Sequence, residues 1–242
     1  MTRQPPGAGM DLSQPYRRGS NRSGVDLRLD ANEGPRPDDR LRQLVAGLDE
    51  ALLRRYPDAA SLEAKLAARM GCEADQVLVT AGADDGIDRC CRTALSGGGT
   101  LLLPSPTFEM FERYARLAGG EVERVSWPHG PYPTDVVEAH IAETVRAIAV
   151  VSPNNPTGAV ASLDDVRRLA ARAPDALVIV DAAYAEFADE DLTRGALELA
   201  NVVALRTFSK AWGLAGMRVG YAVGPVDWIR RLRASGPPYA CL

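Results

Sequence analysis

The sequence predicts an α/β fold, a three-layer α/β/α sandwich on a mainly parallel sheet. Three observations carry that expectation. Apolar runs of four to seven residues recur along the chain. Segments with helical spacing of apolar residues lie between them. Glycine, proline, asparagine and aspartate punctuate the junctions. Strands apolar throughout are buried on both faces, and their alternation with helices is the mark of βαβ units.

The elements follow in order. Leu41, Leu44, Val45, Leu48 and Leu52 recur at helical spacing and predict a helix from about residue 40. Ser61 can cap a second helix whose apolar side is Leu62, Leu66 and Met70, with Gly71 as its stop. QVLVT (76–80) reads as a strand and 84–96 as a helix closed by Gly97-Gly98-Gly99. TLLLP (100–104) is a strand, 107–118 a helix, and EVERVSW (121–127) a half-buried strand. A helix near 135–143 precedes the strand RAIAVVS (146–152). Ser162 with Asp165 resembles a capping box and opens a helix over 163–173. ALVIVD (176–181), VVALRTF (202–208) and MRVGYAV (217–223) are strands, and 225–234 is a helix. No internal repeat is visible.

Composition narrows the function. The 242 residues suit one large domain or two small ones. The net charge of −4 argues against nucleic-acid binding, which needs a basic face. No apolar run approaches the roughly 18 residues of a membrane span. The N-terminal stretch carries no apolar segment of the kind a secretory signal needs. Residues 1–26 read as a flexible arm, rich in Arg, Gly, Pro and Ser. Cys72, Cys90, Cys91 and Cys241 form no CxxC and read as small thiols in a reducing cytoplasm. His129 and His140 lack ligand spacing, so no metal site is expected.

In a parallel sheet the ligand lies beyond the carboxyl ends of the strands. Four such loops are unusual. Ala81-Gly82-Ala83-Asp84-Asp85-Gly86 enters a helix, where free N–H groups can meet an anion; alone it reads equally as an ordinary turn. Ser152-Pro153-Asn154-Asn155-Pro156-Thr157-Gly158 is a stiff loop expected to aim two carboxamides into the crevice. Asp181 closes a buried apolar strand, so it needs a cationic partner or serves as a helix cap. Ser209-Lys210 follows an apolar strand and leads into a Gly-rich turn ending at Arg218. A lysine so placed can form a Schiff base, and Thr207, Ser209 and Arg218 can hold a phosphate. Together these are the parts needed to hold pyridoxal phosphate.

The chain resembles the class I/II, fold-type-I aminotransferases, closest to the histidinol-phosphate aminotransferase branch, over about residues 27–240. The matching segments are Leu29-Asp30-Ala31-Asn32-Glu33-Gly34-Pro35, Arg55-Tyr56-Pro57-Asp58, Ala81 to Gly86 and Pro106-Thr107-Phe108. They continue through Asn155-Pro156-Thr157-Gly158, Asp181-Ala182-Ala183-Tyr184, and Ser209-Lys210 with Arg218. The resemblance implies a pyridoxal-phosphate-binding large domain over 27–242. It makes Lys210 the catalytic lysine that carries the cofactor and moves the substrate's Cα proton. It pairs Asp181 with the pyridine nitrogen, sets Asn155 and Tyr184 on the ring oxygen, and stacks Phe108 on the ring. The backbone of Ala83 and Asp84, with Thr207, Ser209 and Arg218, would bind the phosphate. Tyr56 would reach the neighbouring subunit's cofactor, which implies a homodimer. The substrates implied are a small amino donor such as histidinol phosphate and a 2-oxo acid.

Family members usually continue into a small C-terminal domain, which is expected to be absent from this chain. That leaves two other readings beside the aminotransferase: a phosphothreonine-type decarboxylase and a non-catalytic cofactor-binding remnant. A dinucleotide-binding module fits poorly, because no GxGxxG follows a predicted strand.

Overall fold

The computed structural model describes residues 31–36 and 38–239. The arm expected over 1–26, together with Asp30 and Cys241, lies outside the described residues. Seven strands form one sheet: β1 (Val77–Thr80), β2 (Thr100–Ser105), β3 (Glu121–Ser126), β4 (Val145–Val151), β5 (Leu177–Asp181), β6 (Val202–Thr207) and β7 (Gly220–Val223). Their order is β1-β7-β6-β5-β4-β2-β3. All neighbours are parallel except β7, which runs antiparallel to both β1 and β6. β1 therefore points the same way as β6.

The period-2 alternation of the central strands sends side chains to two cores. On one face Leu177, Ile179, Val203 and Leu205 pack against α4 (Gly82–Leu95), α5 (Met110–Leu117) and α9 (Val226–Ala234) through Ile87, Cys90, Phe111 and Ile229. On the other face Val178, Val180, Val202 and Ala204 pack against α7 (Leu163–Arg172) through Val166 and Leu169. Each fully buried Leu, Ile or Val contributes roughly 1.5–3 kcal/mol relative to exposure. The three-layer α/β/α expectation holds.

Local differences have local causes. The helix expected from residue 40 is two, α1 (Asp39–Ala46) and α2 (Glu50–Arg54), because the Gly47 N–H closes the first and Asp49 caps the second. Ser61 caps nothing: α3 (Ala60–Met70) starts from Ala59, with the Asp58 carboxylate accepting from Ala60 N. The strand expected over 217–223 begins only at Gly220, because Arg218 sits in a left-handed conformation (φ 54°, ψ 41°) after a single 3₁₀ turn. The helix expected over 107–118 is confined to α5, and that near 135–143 to α6 (Thr134–Ala139). A further short helix, α8 (Leu192–Ala196), is capped by Asp191. The capping box of α7 is as expected, Ser162 and Asp165 satisfying each other's backbone N–H. Among the described residues no helix is long and apolar enough to cross a membrane, and no cluster of His, Cys, Asp and Glu could hold a metal.

One close approach positions everything that follows. Gly220 pairs with Thr80 on one side and Thr207 on the other. A Cβ there would lie 2.6 Å from the Gly82 carbonyl carbon, 2.7 Å from Arg206 O and 2.8 Å from Ala83 N. All three are backbone atoms, so only glycine lets β6, β7 and the start of α4 meet. Gly220→Ala is expected to cost about 1–3 kcal/mol, read as a lower urea midpoint at unchanged slope. An unchanged midpoint would show that these backbones can part freely.

Candidate active site

The carboxyl ends of β1, β4, β5 and β6 bring their loops to one edge of the sheet, and the four unusual loops meet there. At one corner α4 begins at Gly82 with no side chain capping it. Asp85 accepts from Ala81 N at 3.0 Å. The N–H groups of Ala83 and Asp84 belong to the first turn and have no helical acceptor. Gly82 has φ +79°, and a Cβ on it would lie 2.7 Å from Arg218 Nη2. The left-handed Arg218 thus turns its guanidinium back onto the helix start. Its Nη1 donates to Ala215 O at 3.2 Å and lies 3.5 Å from Ser209 Oγ. The hydroxyls of Thr207 and Ser209, both buried, are hydrogen-bonded at 3.0 Å. A helix N-terminus, a guanidinium and two hydroxyls form an anion cradle. The Asp84 carboxylate, 3.5 Å from Arg218 Nη2, shares this corner. Burial raises its pKa, against the pull of Arg218 and Lys210.

Asp181 ends β5 and is only 4% exposed. Its Oδ1 accepts from Ala183 N at 3.1 Å, so it caps a turn rather than a helix. Burial pushes its pKa up to about 6; the Ala183 hydrogen bond and the nearby Lys210 only partly offset this, and Asp84 adds to it.

Lys210 Nζ donates to Ala31 O at 3.0 Å and lies 5.6 Å from the Tyr184 ring centroid. Asn32 Nδ2 donates to Tyr184 Oη at 3.0 Å. Residues 31–35 therefore cross the site as a strap, and they fit because of two glycines. A Cβ on Gly34 would lie 1.7 Å from Lys210 O, and one on Gly213 (φ +66°) 2.1 Å from Pro35 O.

The β4 loop corrects one expectation. Asn154 borders the crevice beside Asn155, but its carboxamide is spent on neighbouring loops. Its buried carboxamide accepts from Thr107 Oγ1 at 2.6 Å and donates to Pro106 O and Thr157 Oγ1, knitting two loops together. A buried amide needs such partners. Asn155 is half-buried and lines a cleft of about 350 Å³ with Asn32, Tyr184 and Phe187. Phe108 is half-buried at the β2–α5 turn, against the core under α4. Tyr56 is not brought to this cluster: it is 78% exposed and stacks on Tyr239 at 4.3 Å. Cys90 and Cys91 are buried free thiols, Cys91 with a pKa raised to about 12 by burial.

Comparison with known proteins decides the family. The family model described as aminotransferase class I and II matches residues 28–241. The chain belongs to the aminotransferase class I and II family. It is 40% identical over 196 residues to a histidinol-phosphate aminotransferase of Halorubrum lacusprofundi, covering 78% of this chain and 53% of that protein. An aspartate aminotransferase double mutant from Thermus thermophilus superposes with a TM-score of 0.74 at 25% identity, over 84% of this chain and 58% of that one. An L-threonine-O-3-phosphate decarboxylase from Porphyromonas gingivalis gives 0.69 at 28% identity, over 82% and 60%. The chain spans about half the length of the curated relatives it matches.

Pyridoxal phosphate is the cofactor of this family. The residues present fit it: an anion cradle for a phosphate, a buried carboxylate for a protonated ring nitrogen, and an amine on the neighbouring loop for an aldehyde. Arg206 and Glu186, which belong to no motif in the sequence, are hydrogen-bonded to each other next to this site. The available signal was an arginine inside the apolar strand VVALRTF, which must find a partner once buried.

The raised pKa of Asp181 gives a pH-dependent prediction. With a folded value of about 6 against an ordinary 3.8, the stabilising state is the protonated one. Its contribution is complete below pH ~4 and is lost as pH rises through ~6, at a cost on the order of 2–3 kcal/mol. Asp181→Asn keeps the Ala183 acceptor without the charge. It is expected to raise the Tm of the cofactor-free chain at pH 8 and leave it unchanged at pH 4. A lower Tm at pH 8 would contradict this.

Proposed function

We propose that this site holds pyridoxal phosphate and that the chain supplies the cofactor-binding part of an aminotransferase. The substrates we assign are an amino donor such as histidinol phosphate and a 2-oxo acid. The observation that carries the reading is Asp181, a carboxylate buried at a strand end beside the Lys210 amine and the Arg218 cradle. The names of the curated relatives support the donor.

When bound, pyridoxal phosphate supplies an electron sink for charge developing at the donor's Cα. The roles of this chain's residues follow from their chemistry. Arg218, Thr207, Ser209 and the Ala83 and Asp84 N–H groups bind the phosphate. Asp181 would pair with the ring nitrogen and favour its protonated form, since an opposite charge favours the charged form of both. Tyr184 and Asn155 would hold the ring oxygen, and Phe108 would cover the ring. Lys210 Nζ is the base that takes the proton from the donor's Cα, with Ala31 O orienting it. Tyr56, exposed and away from its own Lys210, is read as reaching the site of a second copy in a homodimer. We place the enzyme in the cytoplasm, where its free thiols stay reduced.

The decarboxylase reading has one support, the Porphyromonas gingivalis structure. Carbon dioxide release without 2-oxo acid formation from an amino donor would favour it.

The test is attachment. Pyridoxal phosphate added to the purified chain is expected to give an absorbance band that borohydride fixes to a single peptide containing Lys210. Lys210→Ala should abolish it, and Arg218→Ala should weaken affinity by about 10- to 100-fold through lost charge-assisted bonds. No band in a folded, soluble chain would overturn the assignment and leave the remnant reading.

A further inference from the structure

Arg206 is 8% exposed, on the strand that leads to Lys210. Its Nη1 donates to Asp191 Oδ2 at 2.8 Å and Thr193 Oγ1 at 2.9 Å, and its Nη2 to Glu186 Oε1 at 2.6 Å. All three acceptors belong to the segment that follows Tyr184. The same Glu186 Oε1 also accepts from Trp212 Nε1 at 3.1 Å. Trp212 lies two residues beyond Lys210, and Glu186 two residues beyond Tyr184. The Trp212 ring packs edge-on against Phe208 at 5.8 Å, and Phe208 in turn packs on Tyr221.

One carboxylate oxygen thus ties the loop carrying Lys210 to the loop carrying Tyr184. We propose that Glu186, held by Arg206 and bonded to Trp212, is a positioning residue that fixes the Lys210 loop against Tyr184. The proposal rests on the reading of Lys210 as the cofactor-holding amine. The buried guanidinium makes the device rigid. Arg206 has partners on both sides of its fork, so Glu186 cannot turn away without leaving a buried positive charge short of one. Trp212 itself is 49% exposed, so apolar burial alone does not hold it. The indole N–H supplies direction that packing on Phe208 lacks.

Two backbone bonds report on the loop: Gly213 N to Lys210 O and Leu214 N to Phe208 O, both 3.0 Å. Hydrogen exchange of the cofactor-free full chain would be compared for the unaltered protein, Trp212→Phe and Glu186→Ala. Trp212→Phe keeps the ring and removes the donor. Both variants are expected to speed exchange at Gly213 and Leu214 by about tenfold, in Trp212→Phe with the amides of β6 unchanged and in Glu186→Ala with a smaller rise there from the lost Arg206 partner. No change at Gly213 and Leu214 would overturn the clamp. An equal rise throughout β6 would also overturn it, because the residues would then serve general stability only. In a second arm, borohydride-trapped attachment of pyridoxal phosphate at Lys210 is expected to slow about tenfold in Trp212→Phe. Attachment as fast as in the unaltered chain would contradict positioning. If the unaltered chain attaches none, the reading of Lys210 fails, and the exchange comparison alone decides the clamp.

Discussion

A carboxylate at the end of a central strand, out of reach of water, sets the terms for the rest of this molecule. β5 lies between β4 and β6, and its final residue is locked from both sides: Ser152 N donates to Asp181 O at 3.0 Å, and Ala182 N to Leu205 O at 2.9 Å. Asp181 cannot move toward solvent without breaking the ladder. Ionised there, it bears a desolvation cost that one backbone N–H and the charge of Lys210 do not cancel. A cation placed against it would be bound with the full strength of a low-dielectric site. The sheet thus stores a preference for a cationic partner at this position.

The loops around Asp181 come together through close backbone contacts. Gly220 lets β7 slip between β1 and β6 and lie against the start of α4, which fixes the anion cradle relative to Thr207. Gly34 and Gly213 let the 31–35 strap lie flat on the Lys210 turn. The antiparallel β7 belongs to the same logic. Arg218 precedes it in a left-handed conformation, and this reversal points the guanidinium at the helix start rather than along the strand.

Much of this was legible in the sequence. Apolar strands alternating with capped helices specified the layers, because burial on both faces leaves few other arrangements. The loops after 80, 152, 181 and 208 stood out because glycine pairs, prolines, a strand-end acid and a lysine are costly there without a purpose. What was not legible depended on tertiary distance. Asn154 and Asn155 are neighbours of one type, and only the positions of Thr107 and Pro106 make Asn154 the one whose carboxamide ties two loops together. The antiparallel direction of β7 is invisible to periodicity. Arg206 looked like a detail of an apolar strand, and its partners lie in a segment with weak helical signal. Ser61 lost its expected capping role to Asp58, one turn signal among several within a few residues.

The most direct measurement is the titration of the Asp181 carboxyl itself, by carbon-detected nuclear magnetic resonance, with Asp181→Asn identifying its signal. In the cofactor-free chain the account predicts a midpoint near pH 6, following the pKa of about 6 that burial gives it. After loading with pyridoxal phosphate the same carboxyl should stay ionised well below that pH, because a cationic ring nitrogen favours its charge. A midpoint at the ordinary carboxylate value in the free chain, or one that the cofactor leaves unmoved, would contradict the claim that this acid organises the site.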